Sequence, residues 1–219
     1  MKVYVITAPE SVRGIYQTWN ECKAKVAGKK GARYQSVDSL EKAEALLGDG
    51  IVLPSGLWIF TDGNAMGGVG VVVINRRPDG SGEPLEVSTT VSAVFSSANI
   101  RGLRTESEIA GALDRLHNIL AELAGLHHAL THVPEGIAAT VVYDYKGIGE
   151  WMERRWQTKD DVVTAVIAAC HREVRKRSLD VSYRHQRGHQ KTWAGRDNFA
   201  FWNGRADEMA TLGGSSQEP

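Results

Sequence analysis

The chain has 219 residues, 42% of them hydrophobic and 24% charged, and its 26 basic side chains balance its 26 acidic ones. That length suits one large domain or a small domain before a larger one, and the composition excludes collagen-like, disordered and disulfide-stapled classes. A net charge of zero excludes a global field that would draw the whole molecule to a polyanion; with no signal peptide and no long apolar span read in the sequence, we expect a cytoplasmic protein with no membrane partner.

The charge is not evenly spread. Residues 1–48 hold 8 basic against 5 acidic side chains and the remainder is mildly acidic, a pattern that assigns the two parts separate roles. Cys22 and Cys170 are far apart in helical patterns and read as reduced thiols.

In chain order, Lys2 to Ile6 reads as a strand and Pro9 to Gly14 as a turn-rich loop. Thr18 is placed to cap a helix, with Glu21 three residues on completing a capping box. Tyr34 to Val37 is a short strand, and Ser39 caps a second helix from Leu40 to Leu47. These elements form a small αβ head over residues 1–48. Residues 49–56, rich in Gly, Pro and Ser, read as a linker. Leu57 to Phe60, Gly68 to Asn75 and Leu85 to Phe95 read as an antiparallel three-strand meander. A long helix is expected from Thr105 to Leu126, where Ile109, Leu113, Leu116, Leu120 and Leu123 recur at helical spacing. His127 to Gly136 is loop, and Ala138 to Tyr143 is a β-branched strand. Helical patterns occupy Tyr145 to Trp156 and Asp160 to Lys176. Val181 to His185 is a last strand, and a final helix spans Asn198 to Thr211. The body covers residues 57–212, and residues 213–219 are expected to be a disordered tail.

Four acids fall near the ends of these elements: Asp62 after the first body strand, Glu108 in the first turn of the long helix, Asp144 after the fourth strand and Asp207 in the last helix. Strand ends and helix starts on one side of a mixed sheet converge where such sheets bind ligands. Carboxylates meeting at one point suit Mg²⁺, which takes oxygen ligands and leaves positions for water and phosphate. Two such ions can activate a water and stabilise the leaving oxygen of a phosphodiester. Each acid alone has a blander reading: Asp62-Gly63 as a turn, Glu108 as a solvated acid at a helix start, Asp207 as an exposed acid. Asn203 lies one helical turn before Asp207, so both can face one site.

The stretches Ile59-Phe60-Thr61-Asp62-Gly63, Thr105-Glu106-Ser107-Glu108-Ile109-Ala110, Val141-Val142-Tyr143-Asp144-Tyr145 and Asn203-Gly204-Arg205-Ala206-Asp207-Glu208-Met209-Ala210 resemble the four acidic blocks of type 1 ribonuclease H. Gln186-Arg187-Gly188-His189 resembles the loop before that family's last acid. The resemblance implies a five-stranded mixed sheet flanked by helices. It implies Asp62, Glu108, Asp144 and Asp207 as ligands of two Mg²⁺ ions, with Mn²⁺ as a substitute, and His189 as an aid to proton transfer or product departure. Asn64, Thr105, Trp151 and Asn203 would touch substrate.

The head segments Val3-Tyr4-Val5, Gly14-Ile15-Tyr16, Thr18-Trp19-Asn20-Glu21-Cys22-Lys23 and Gly31-Ala32-Arg33-Tyr34 resemble the same family's N-terminal hybrid-binding domain. Such a module reads RNA/DNA hybrid and double-stranded RNA by shape, 2′-hydroxyls and phosphates. Tyr4, Trp19 and Tyr34 would pack on sugars, and Lys23 and Arg33 would meet phosphates; Trp19 reads equally as a core residue. Three departures stand out. Gln35 and Ser36 replace a pair of lysines, Leu103-Arg104-Thr105 replaces a Thr-Asn-Asn stretch, and the basic handle of some members is absent around Glu150 to Trp156. The expected activity is endonucleolytic cleavage of the RNA strand of RNA/DNA hybrids by a monomer. The alternatives are a non-catalytic hybrid- or duplex-RNA-binding protein on a degenerate nuclease fold, and a related nuclease acting on DNA.

Overall fold

The computed structural model describes residues 2–38, 43, 46–47, 53–79, 81–186 and 199–215. Most of the expected Leu40–Leu47 helix, half of the linker, His189 and the last residues of the tail lie outside them. The chain divides into two compact units, Met1–Leu53 with Lys191–Phe201, and Pro54–Gln190 with Trp202–Pro219.

The first unit carries a three-stranded antiparallel sheet of β1 (Val3–Ala8), β2 (Gly14–Tyr16) and β3 (Arg33–Val37), with β1 in the centre. Val3 and Val5 alternate inward on β1 and pack with Ala43 and Leu47. Between β2 and β3 runs α1 (Trp19–Val26), opened by the expected capping box: Thr18 accepts the Glu21 amide and Glu21 accepts the Thr18 amide. Strand β2 falls where the sequence reads as loop.

The second unit is built on a five-stranded mixed sheet. Its strands are β4 (Gly56–Gly63), β5 (Gly68–Arg76), β6 (Pro84–Thr90), β7 (Ala138–Tyr143) and β8 (Asp180–His185), in the order β6-β5-β4-β7-β8. The first three form an antiparallel meander, and β7 and β8 join parallel to β4. This is the mixed sheet that the family resemblance implied. Its helices are α2 (Val91–Phe95), α3 (Glu106–Leu116), α4 (Asn118–His132), α5 (Gly147–Met152), α6 (Asp161–Lys176) and α7 (Phe199–Ser215). The core joins Ile59, Val69 and Val71 of the sheet to Leu120, Leu123, Leu126 and Leu130 of α4 and Val163, Val166 and Cys170 of α6. Every residue of α4 from Leu120 to His127 is buried, so this helix is enclosed rather than amphipathic. Both cysteines are buried free thiols, as expected.

Three elements differ from the sequence reading. The expected strand Leu85–Phe95 ends at Thr90, whose hydroxyl accepts the Ala93 amide and starts α2. The expected helix Thr105–Leu126 is two helices, broken at His117 with φ +49° and ψ −130°. The second of them continues through the expected loop to His132. No helix among the described residues is long and apolar enough to cross a membrane.

Candidate functional site

Adjacent parallel strands bring two acids side by side. Phe60 pairs with Val142 across β4 and β7, and two residues further on come Asp62 and Asp144. Asp62 is buried, and its Oδ1 accepts the Gly63 amide at 2.7 Å. Asp144 follows the end of β7, where its backbone carbonyl accepts a hydrogen bond from His185 Nε2 at 2.8 Å. A third acid comes from α4. The backbone of Ala121 and Glu122 lies so close to Gly63 that a Cβ there would overlap it. This approach delivers the buried Glu122 carboxylate past the strand, and ligand oxygens of Asp62, Glu122 and Asp144 all lie within 4.8 Å of one another.

Burial dominates the electrostatics of this group. It pushes the Asp62 carboxyl up to about 7, the Asp144 charge adds to the effect, and the charge of Asp207 adds a smaller share. Glu122 is pushed well above the ordinary carboxyl range by burial first and by Asp62 and Asp144 next. Its Oε2 is buried without a hydrogen-bond partner. Converging carboxylates, two of them desolvated and one with an orphaned oxygen, are a donor set that fits a hard divalent cation. The cation would supply the positive charge that burial denies these acids.

The expected second acid, Glu108, stands elsewhere. Glu108 stands in the first turn of α3, exposed, where its Oε2 accepts the amides of Arg104 at 2.7 Å and Thr105 at 3.0 Å. It is half of a capping box with Thr105, whose hydroxyl accepts the Glu108 amide. Glu108 does not join the acidic group; Glu122 does. The sequence did contain a signal, since Glu122 is the lone charged residue in the apolar run Ile119 to Leu126.

On the first unit, Trp19 lies between Tyr4 and Tyr34, with ring centroids 5.6 and 5.5 Å apart. Trp19 is 38% exposed and Tyr34 48%, so this row is a surface and not a core. Lys23 and Arg33 are exposed, as are Gln35 and Ser36. Residues 2–47 match the family model of the ribonuclease H1 N-terminal domain.

That match covers the head alone. No curated protein matches the chain. Among solved structures, ribonuclease H1 from the halophilic archaeon Halobacterium salinarum NRC-1 is 16% identical, covering 73% of this chain and 98% of its own, with a TM-score of 0.47. LC11 ribonuclease H1, isolated from compost by a metagenomic approach, is 17% identical over 74% of this chain and 97% of its own, with a TM-score of 0.47. The crystal structure of LC11 ribonuclease H1 in complex with RNA/DNA hybrid is 16% identical over 73% of this chain and 97% of its own, with a TM-score of 0.43.

Beyond the head in sequence, the remaining expected residues fall as follows. Asp207 lies on α7, outside the three-acid group but close enough for its charge to act on Asp62. Asn203, one turn earlier, is buried, and its Oδ1 has no hydrogen-bond partner. The Asn64 side chain is engaged by protein: Nδ2 donates to the Ala210 carbonyl at 2.8 Å, and Oδ1 accepts the amides of Met66 and Gly68 at 3.0 Å. Thr105 is the α3 cap described above. Trp151 on α5 is partly buried with its ring 5.7 Å from that of Tyr145. His189 lies outside the described residues.

Proposed function

We propose that this chain is a two-domain ribonuclease H, an endonuclease that hydrolyses the RNA strand of RNA/DNA hybrids. The observation that carries the reading is the group Asp62, Glu122 and Asp144 in one 4.8 Å cluster on a five-stranded mixed sheet. The head match over residues 2–47 supports the hybrid as substrate.

Asp62, Glu122 and Asp144 would hold divalent metal, Mg²⁺ or Mn²⁺, and Asp207 would complete the set from α7. Two such ions would supply a nucleophile at neutral pH and charge for the leaving oxygen. The residues of the chain do the rest. Asp62 and Glu122, whose carboxyls burial holds protonated more readily than usual, would bind the ion in their deprotonated form, because a nearby dication reverses the pKa logic of a crowded acid site. Burial by α4 keeps bulk water from screening them. His189, on the family resemblance, takes part in proton transfer or product departure. Products carry 5′-phosphate and 3′-hydroxyl ends. Trp19 and Tyr34 of the head offer flat faces to sugars, while Lys23 and Arg33 meet phosphates. With Gln35 and Ser36 in place of lysines, few phosphates are neutralised, so head affinity should depend only weakly on salt. Tethering the head at residues 1–48 to a catalytic module at 57–212 raises the local hybrid concentration without new contacts at the catalytic site.

The test is cleavage of a labelled RNA/DNA hybrid in Mg²⁺, beside single-stranded RNA, duplex RNA and duplex DNA, with Asp62→Asn as control. We expect cuts in the RNA of the hybrid alone, lost in the variant while hybrid binding persists. Hybrid binding without cleavage in Mg²⁺ or Mn²⁺ would instead make the chain a binding protein.

A further inference from the structure

Two consecutive residues of α7 are held against two neighbouring strands of the sheet. Arg205 reaches β6, where its Nε donates to Glu86 Oε1 at 3.0 Å and its Nη2 to Oε2 at 2.5 Å. The carbonyl of the fully buried Ala206 rests on β5, against the backbone of Gly70, where any Cβ would overlap it. Asp207 follows Ala206 in the helix, and Ala206 lies over Gly70, the residue paired with Asp62 of β4. Successive helical residues turn by about 100°, so Arg205 and Asp207 leave the helix on opposite sides of Ala206.

The interface beneath them is a seam of bare backbone. A Cβ on Gly68 would overlap the Ala210 carbonyl, and one on Gly213 would overlap the Thr89 carbonyl. Such a seam allows close approach but offers few side-chain knobs to fix the rotation of the helix. Polar keys do that instead. Ser88 Oγ donates to the Met209 carbonyl at 2.8 Å and Asn64 Nδ2 to the Ala210 carbonyl at 2.8 Å, both backbone keys along the helix. The Arg205–Glu86 fork acts at longer radius, from the side opposite Asp207. A rotation of about 10° at a radius of about 6 Å shifts a carboxylate by about 1 Å, a displacement that degrades a catalytic constellation.

We propose that Arg205 is a positioning residue: forked onto Glu86, it sets the rotation of α7 over the glycine seam and thereby holds the Asp207 carboxylate towards the acids of Asp62, Glu122 and Asp144. This rests on the metal-site reading above. In this role Arg205 acts through Asp207 and is not itself a ligand.

The test is Mn²⁺ binding to the full-length protein, followed by the electron paramagnetic resonance signal of free Mn²⁺, in Arg205→Ala, Glu86→Gln, Asp207→Asn and the Arg205→Ala/Asp207→Asn pair. Metal-free melting curves check that each variant is folded. We expect Arg205→Ala to weaken Mn²⁺ binding by about ten-fold, the scale on which groups that orient ligands act. Glu86→Gln, which leaves α7 unaltered in sequence, weakens it in the same direction. In the Asp207→Asn background the Arg205→Ala change adds nothing. Wild-type affinity in both Arg205→Ala and Glu86→Gln, or a fully additive loss in the double variant, overturns the positioning role and leaves the metal site standing. No Mn²⁺ binding by the wild-type protein overturns the metal site and the positioning role together.

Discussion

The Asp62 carboxyl sits among acids and below the surface, and its pKa of about 7 is set by burial first. An unfolded aspartate titrates near 3.9. The folded, metal-free protein therefore binds a proton more tightly than the unfolded chain between about pH 4 and pH 7. Its stability contribution is fully present below that window and is lost as pH rises through it. Denaturant titrations in chelator at pH 5 and pH 8 should show lower stability at pH 8, and Asp62→Asn should reduce the difference. An Asp62→Asn protein with the wild-type pH dependence would contradict this account of the site. Saturating Mg²⁺ should restore stability at pH 8, because the ion favours the deprotonated group. Of the three clustered acids, Asp62 and Asp144 were legible as single carboxylates at strand ends. Glu122 was not, because it sits inside a run of apolar residues where a charge looks like an interruption. Glu108 drew attention instead because a capping-box glutamate also stands at a helix start with small polar neighbours.

The apolar spacing from Ile109 to Leu123 explains why two helices read as one. Leu113, Leu116, Leu120 and Leu123 keep helical phase straight across His117, which is neither glycine nor proline, so nothing local announces the break. The break comes from a backbone conformation that only tertiary packing enforces, with φ at +49°. It matters for the site, because restarting the helix at Asn118 lets α4 run over Gly63 and present Glu122. A non-glycine residue in such a conformation costs about 1–3 kcal/mol, and glycine gives back about 0.5–1 kcal/mol in chain entropy. His117→Gly should thus stabilise the protein by about 1 kcal/mol, seen as a higher urea midpoint with an unchanged slope. A lower midpoint would mean that the His117 side chain itself holds the junction. The strand-to-helix switch at Thr90 was hidden in the same way, since Val91 to Phe95 is β-branched and aromatic enough to read as strand while the Thr90 cap is a single hydroxyl.

For the molecule as a whole, the meander, the strand after the central helices and the small αβ head could be read in the sequence, because alternation and turn residues are local signals. The pairing of β7 beside β4 could not, since nothing local specifies which edge a distant strand joins. That pairing and the crossing of α4 over Gly63 gather Asp62, Glu122 and Asp144 into one place. The two candidate second acids, Glu108 and Glu122, separate the assembled site from the one implied by sequence blocks alone. The decisive measurement is therefore the rate of hybrid cleavage in Mg²⁺ by Glu122→Gln and Glu108→Gln, made side by side in the full-length protein. The structure predicts that Glu122→Gln abolishes cleavage, by at least about a hundred-fold on the scale of lost electrostatic catalysis, while Glu108→Gln retains it apart from the effect of a weakened helix cap of about 1 kcal/mol. Loss of cleavage with Glu108→Gln in a folded protein, and its survival with Glu122→Gln, would contradict the site described here.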